Sequence, residues 1–125
     1  MIPTLLQVAL GGAIGAAMRW SVGLAVARAW APGFPVATLS VNVLGGFAMG
    51  IVAAVIAGRD MGHMAPFLMV GVLGGFTTFS AFSLETITLI ERGAVGHAVL
   101  YVGLSVFLSV GALAIGLWLG RGWVL

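Results

Sequence analysis

Four apolar runs separated by short polar punctuation occupy the chain: about Thr4 to Ala27, Val36 to Gly58, Pro66 to Ile90 and Ala94 to Gly120. Each is almost uncharged and long enough to cross a hydrocarbon core about 30 Å thick, which needs roughly 20 residues of helix. Each therefore predicts a transmembrane helix. The connectors are Pro32 and Pro35, then "GRDMGHMAP", then "ERG", clusters of charge, glycine or proline of the kind that end helices. The pattern predicts an all-α membrane protein in which residues 1–125 form one four-helix domain with no soluble part.

Composition sharpens this. The chain is 62% hydrophobic and only 6% charged, against about 25% charged in a soluble globular domain. There is no cysteine, so neither a disulfide framework nor a thiolate metal site is available. The net charge of +2 comes from scattered arginines, and no basic run points to nucleic acid. A cleavable signal peptide is not expected: no Lys or Arg precedes the first apolar run, the run is too long for a signal core, and Arg19 interrupts it.

Cytoplasmic loops normally hold the excess of Lys and Arg. With four crossings, Arg59 and Arg121 fall on one side and Arg28 and Arg92 on the other. Two against two sets no orientation. Either the protein inserts both ways and pairs with an inverted copy of itself, or signals other than charge orient it.

Glycines recur four apart as Gly11 and Gly15, Gly46 and Gly50, Gly71 and Gly75, and Gly116 and Gly120. Such pairs let backbones approach closely inside lipid, so tight helix packing is expected, oligomer contacts included. Ionisable groups at membrane depth are costly and usually face a bundle interior or water. Arg19 and Glu85 are the candidates. Arg19 either draws an anion to a pore mouth or anchors a neighbouring helix; Glu85 is either its partner or an acid linked to water, and either group can snorkel instead. Asn42 shares a helix face with Thr38, four residues away. Its amide either bonds a neighbouring helix or offers N–H donors to a permeant anion. Tyr101 is either a hydroxyl on a pathway or an interfacial belt residue, and His63 and His97 sit near segment ends with no metal-ligand spacing.

The third run carries the most information. Gly71, Gly74 and Gly75 are followed by Thr77 and Thr78, and glycine together with competing hydroxyls makes this the expected break in a helix. Non-helical backbone at membrane depth is tolerated only inside protein or beside water, and a broken helix presents free carbonyls at one half-helix end and free N–H groups at the other. Beyond the break, Phe79 and Phe82 share one face and Ser80 and Ser83 a neighbouring one. Aromatic rings have positive edges. Ring edges beside hydroxyls make a track of weak donors without fixed charge, suited to an anion that must be bound and released; plain packing of the phenylalanines is the alternative.

Three motifs, "GGAIGAAMRW", "TLSVNVLGGFAMG" and "GVLGGFTTFSAFS", resemble the small fluoride channels known as Fluc or CrcB proteins, and the resemblance extends over all four segments. It implies an antiparallel homodimer of dual topology with two pores, exporting cytoplasmic fluoride passively through the cytoplasmic membrane of a prokaryote. By motif, it implies pore roles for Asn42, Phe79 and Phe82, a hydroxyl track including Ser80 with Thr78 and Ser83 nearby, and places along or near the route for Arg19, Glu85 and Tyr101. It also implies a structural sodium ion (Na+) at the dimer centre, held by the backbone carbonyls of Gly74 and Thr77 from both copies. Two positions depart from the pattern: Ala81 stands where many members have Thr, and Trp20 where many have Tyr. The expected partners are fluoride, membrane lipid and an inverted second copy. No catalytic constellation is present, so no enzyme is expected. The alternative function is a small four-helix proton-coupled multidrug exporter, whose chemistry needs a deeply placed carboxylate; Glu85 is the only intramembrane acid, and the first segment has an arginine and no acid, which counts against it.

Overall fold

The computed structural model describes residues 3–29 and 33–124 and is all-helical. Helix α1 spans Thr4–Ala29 and α2 spans Val36–Gly58. A 3-10 turn over Gly62–Met64 leads into the third crossing, which is π-helical over Pro66–Leu73, closes with the α-helical turn α3 (Gly74–Phe76), breaks, and resumes as α4 (Phe79–Glu91). Helix α5 spans Val95–Val124. Four stretches, Thr4–Ala29, Val36–Gly58, Gly62–Glu91 and Val95–Val124, are long and apolar enough to cross a membrane. Helices α1 and α5 run past the expected ends and take Arg28 and Arg121 into their last turns, where a cation complements the negative end of the helix dipole. Pro35, expected in the first connector, is the residue immediately before α2, while Pro32 lies outside the described residues.

The turn from α4 to α5 uses the one glycine with a left-handed backbone, Gly93 at φ 80°. The amide of Ala94 donates to Leu89 O and that of Gly93 to Ile90 O, the paired bonds that satisfy a helix's last carbonyls when the next residue turns left-handed.

The glycine pairs explain the packing. In α1, a methyl group at Gly11 or Gly15 would overlap the backbone of residues 67–72, and one at Gly75 would come within 2.7 Å of Gly12 O. Helix α1 therefore lies directly on the backbone of the first half of the third crossing. In the same way, Gly46 faces Ser109 O, Gly50 faces the Leu113 carbonyl, Gly116 faces the Phe47 carbonyl and Gly120 faces Ala54. All four pairs thus serve contacts within the chain, joining first crossing to third and second to fourth as two parallel pairs. A small core of Leu89, Ala98 and Tyr101, with Phe34, Leu39, Phe82 and Ala94 packed on it, closes the end near the α4–α5 turn. The outside is apolar: Leu5 and Phe107 are each 79% exposed and Trp118 73%, a surface that suits lipid and not water.

Candidate functional site

The break lies at two residues. Thr77 (φ −84°, ψ 161°) and Thr78 (φ −153°, ψ 123°) are extended, the conformation that suits β-branched side chains. The glycines expected to form it remain helical, Gly74 at φ −64° and ψ −37°, and Gly75 serves the close approach of α1. The ladder ends with Thr77 N–H donating to Leu73 O, whose carbonyl also accepts the Thr77 hydroxyl. Thr78 then starts α4: its Oγ1 accepts from the Ala81 amide at 3.1 Å, capping the helix, and lies 3.3 Å from Ser80 Oγ.

Asn42 holds this break from α2. Its Oδ1 accepts from Thr78 N–H at 2.8 Å and its Nδ2 donates to Thr78 O at 3.0 Å. Gly45, one turn on, makes room for the Thr77 methyl and the Phe76 ring. The second Nδ2 hydrogen has no acceptor among the described residues, and Asn42 lines the groove described below. Of the two expectations for its amide, the interhelical bond is made, and one donor is left over.

Arg19 does not pair with Glu85. Its Nε donates to Gly75 O at 3.2 Å, placing a cation on the carbonyl end of the first half-helix, where charge and dipole agree. The rest of the side chain lines a cleft of about 390 Å³ with Trp20, Thr38, Thr78 and Ala81. Glu85 instead accepts a 2.6 Å bond from Thr38 Oγ1. The Tyr101 hydroxyl is buried without a hydrogen-bond partner among the described residues.

Aromatic rings run from the break toward the core: Phe79 to Phe82 at 5.4 Å between centroids, Phe82 to Tyr101 at 5.1 Å, Tyr101 to Phe34 at 5.5 Å edge-on. His97 meets Phe34 edge-on at 6.2 Å. Neither it nor His63 joins a metal site, and no group of three or more His, Asp or Glu able to hold a metal occurs among the described residues.

Asn42, Thr77, Thr78, Phe79 and Phe82 come together on an open groove of about 370 Å³ between α2, the break and α5. Its α5 wall supplies two residues the sequence reading passed over, Ser105 and Ser109. Serine in a helix usually donates to the carbonyl one turn back, as Ser83 does to Phe79 O, Thr86 to Phe82 O and Thr88 to Leu84 O. Ser105 and Ser109 do not: both hydroxyls are buried without a partner among the described residues. With Tyr101 they form a column four residues apart along about 12 Å of one helix face. That spacing was the available signal. Ser83 is the converse case, since its hydroxyl hydrogen is already spent on its own helix.

The groove thus gathers the Phe79 and Phe82 rings, the Asn42 amide and the hydroxyl residues Thr77, Thr78, Ser105 and Ser109, with no ionised side chain in its lining. Amides and hydroxyls of this kind are uncharged hydrogen-bond donors, and the set carries no fixed charge.

Comparison with known proteins follows this chemistry. The chain is 57% identical to a fluoride-specific ion channel FluC of Ruegeria sp. (strain TM1040) over 98% of both chains. It is 54% identical to one from Cereibacter sphaeroides (strain ATCC 17029) over 99% of both. It is 56% identical to one from Paracoccus denitrificans (strain Pd 1222) over 95% of both. The model of the family described as CrcB-like protein, camphor resistance (CrcB), matches residues 6–117. On that match, and on identity above one half along nearly its whole length, the chain belongs to the CrcB-like family.

Proposed function

We propose that this protein is a fluoride-selective channel that lets cytoplasmic fluoride leave the cell passively, and so relieves its toxicity. The observation that carries the proposal is the groove beside the break. Fluoride is small and strongly hydrated, so a pathway must replace its water with several donors at once. Here the second Asn42 N–H, the Thr78 hydroxyl, the Phe79 and Phe82 rings and the hydroxyls of Ser105 and Ser109 belong to residues that line the groove, with Ser80 beside Thr78 and Tyr101 one turn before Ser105 on α5 outside that lining. Arg19 and Glu85 are each bonded within the chain outside the groove lining. They act on the approach to it, Arg19 keeping the potential of its cleft positive and Glu85 setting the position of Thr38. The relatives' names agree with a channel, and nothing in them favours the exporter.

The channel acts in the cytoplasmic membrane as an inverted homodimer. Supporting this, the arginine count sets no orientation, Phe79 is 78% exposed at the break, and the broken backbone beside it cannot face lipid. A second copy laid on the groove covers both and turns an open trough into an enclosed path. At the centre, the Gly74 and Thr77 carbonyls of both copies hold a sodium ion. The chain suits this: Gly74 has no side chain and no crowding neighbour on its open face, and the amide one turn ahead of its carbonyl, Thr78 N–H, is taken by Asn42. Carbonyl oxygens are the ligands hard cations prefer. A bound sodium would join the two breaks electrostatically.

Efflux from liposomes holding the purified protein, without a proton gradient, tests the proposal. Fast fluoride loss with chloride retained is expected. No fluoride flux, or flux only with a proton gradient and an organic cation, rejects it.

A further inference from the structure

We propose that Asn42 is the residue that keeps the third crossing broken, acting through the backbone of Thr78 and not only as a donor to a passing ion. In a continuous helix Thr78 N–H would donate to Gly74 O, four residues back. The rung before it is made, Thr77 N–H to Leu73 O; the next is missing because Asn42 Oδ1 takes the amide at 2.8 Å. The same side chain donates to Thr78 O at 3.0 Å, so one amide grips both polar groups of one residue, and only one amide orientation satisfies both bonds. Thr78 Oγ1 is meanwhile engaged with the Ala81 amide. The residue is pinned at three points in an extended conformation.

The consequence reaches Gly74. Diverting the Thr78 amide leaves the Gly74 carbonyl without its donor, and Arg19 occupies the next carbonyl, Gly75 O. The two clamps come from α2 and α1, on either side of the break. They determine which carbonyls of the half-helix end stay open, and Gly74 is one. Asn42 is thus a positioning residue for the break. The further step, that it makes the Gly74 carbonyl available to a cation, rests on the sodium reading above.

The test uses the fact that Asn42 is the sole asparagine and the threonines number six. Protein carrying 13C-asparagine and 15N-threonine, reconstituted in lipid, is measured by solid-state dipolar recoupling. Close contact between the Asn42 carboxamide carbon and one threonine amide, lost in Thr78→Ser, is expected. In Asn42→Leu the Thr78 amide resonance moves toward those of the helical Thr86 and Thr88, while in Asn42→Asp, which keeps the acceptor, it stays near its original position. Absence of the carbon–nitrogen contact in the unsubstituted protein overturns the proposal. So does an unmoved Thr78 resonance in Asn42→Leu. The first measurement needs no variant to fold. Thermal unfolding with sodium against N-methylglucamine adds the cation arm: loss of sodium stabilisation in Asn42→Leu and its retention in Asn42→Asp is expected. If the contact is present but sodium never stabilises the unsubstituted protein, the clamp stands and the sodium reading fails.

Discussion

Ser105→Ala and Ser109→Ala separate a conducting role from a structural one, because the two roles predict opposite signs for stability. Both hydroxyls are buried without partners among the described residues, and Ser105 is 6% exposed. A buried polar group left unpaired costs about 1–3 kcal/mol. Removing each therefore raises or leaves unchanged the unfolding free energy, by about 1 kcal/mol at the low end of that range. A hydrogen bond to an ion contributes about 1.5–3 kcal/mol. If that interaction is lost where fluoride crosses its highest barrier, flux falls roughly ten- to a hundredfold, since about 1.4 kcal/mol is a factor of ten.

The assay is fluoride efflux from liposomes read with a fluoride electrode, paired with thermal unfolding of the same preparations followed by tryptophan fluorescence. Slower flux from a protein at least as stable is the expected result, larger in the double variant. Unchanged flux in a folded double variant refutes the reasoning. A clear loss of stability refutes it too, because it means that the hydroxyls are already bonded in the assembled protein and are not free donors.

Other substitutions test other parts of the structure. Gly15→Ala drives a methyl into the Val72 carbonyl, whereas Gly23→Ala meets nothing within 4 Å; the first is expected to unfold at markedly lower temperature or not to assemble, and the second to be neutral or stabilising by up to about 1 kcal/mol. Equal effects would show that the α1 contact is not as close as described. Arg19→Gln removes the bond to Gly75 O and the cation at a half-helix end, and should lower stability by about 1–2 kcal/mol, within the range for bonds between membrane helices; an unchanged unfolding midpoint would remove its anchoring role. Phe82→Ile keeps apolar bulk but deletes the ring edge between Phe79 and Tyr101, so flux should fall more than stability. Equal flux would leave Phe82 a packing residue.

The four crossings were legible because a run of some 20 uncharged residues has few other uses. The glycine pairs were legible as close-packing surfaces for a similar reason, although which helix each would touch was not: residues 11–15 and 71–75 are distant in sequence, and spacing says nothing about partners. The break was legible as a region but not as a position, since glycine lowers helix propensity wherever it stands, and here Gly75 is needed for contact with Gly12. Asn42 was visible as a polar group needing partners; that its partner is the backbone of Thr78, 36 residues on, depends on the fold. Ser105 and Ser109 were passed over because serine in an apolar helix normally satisfies itself on its own backbone. Only the structure shows that these two do not.

The break also has a packing reason that is independent of any ion. The half of the third crossing before Thr77 packs on α1, and α4 packs on α5. A straight helix continuing along the glycine face of α1 has no reason to turn its second half toward α5. Two extended threonines re-aim the chain, Asn42 on the intervening α2 secures them, and the rings of Phe82 and Tyr101 meet on the far side. The broken rung is thus offset by side-chain bonds and by the contacts the new direction allows. Such an arrangement brings the Phe79 and Phe82 rings, the Asn42 amide and the two extended threonines together beside the groove between α2, the break and α5.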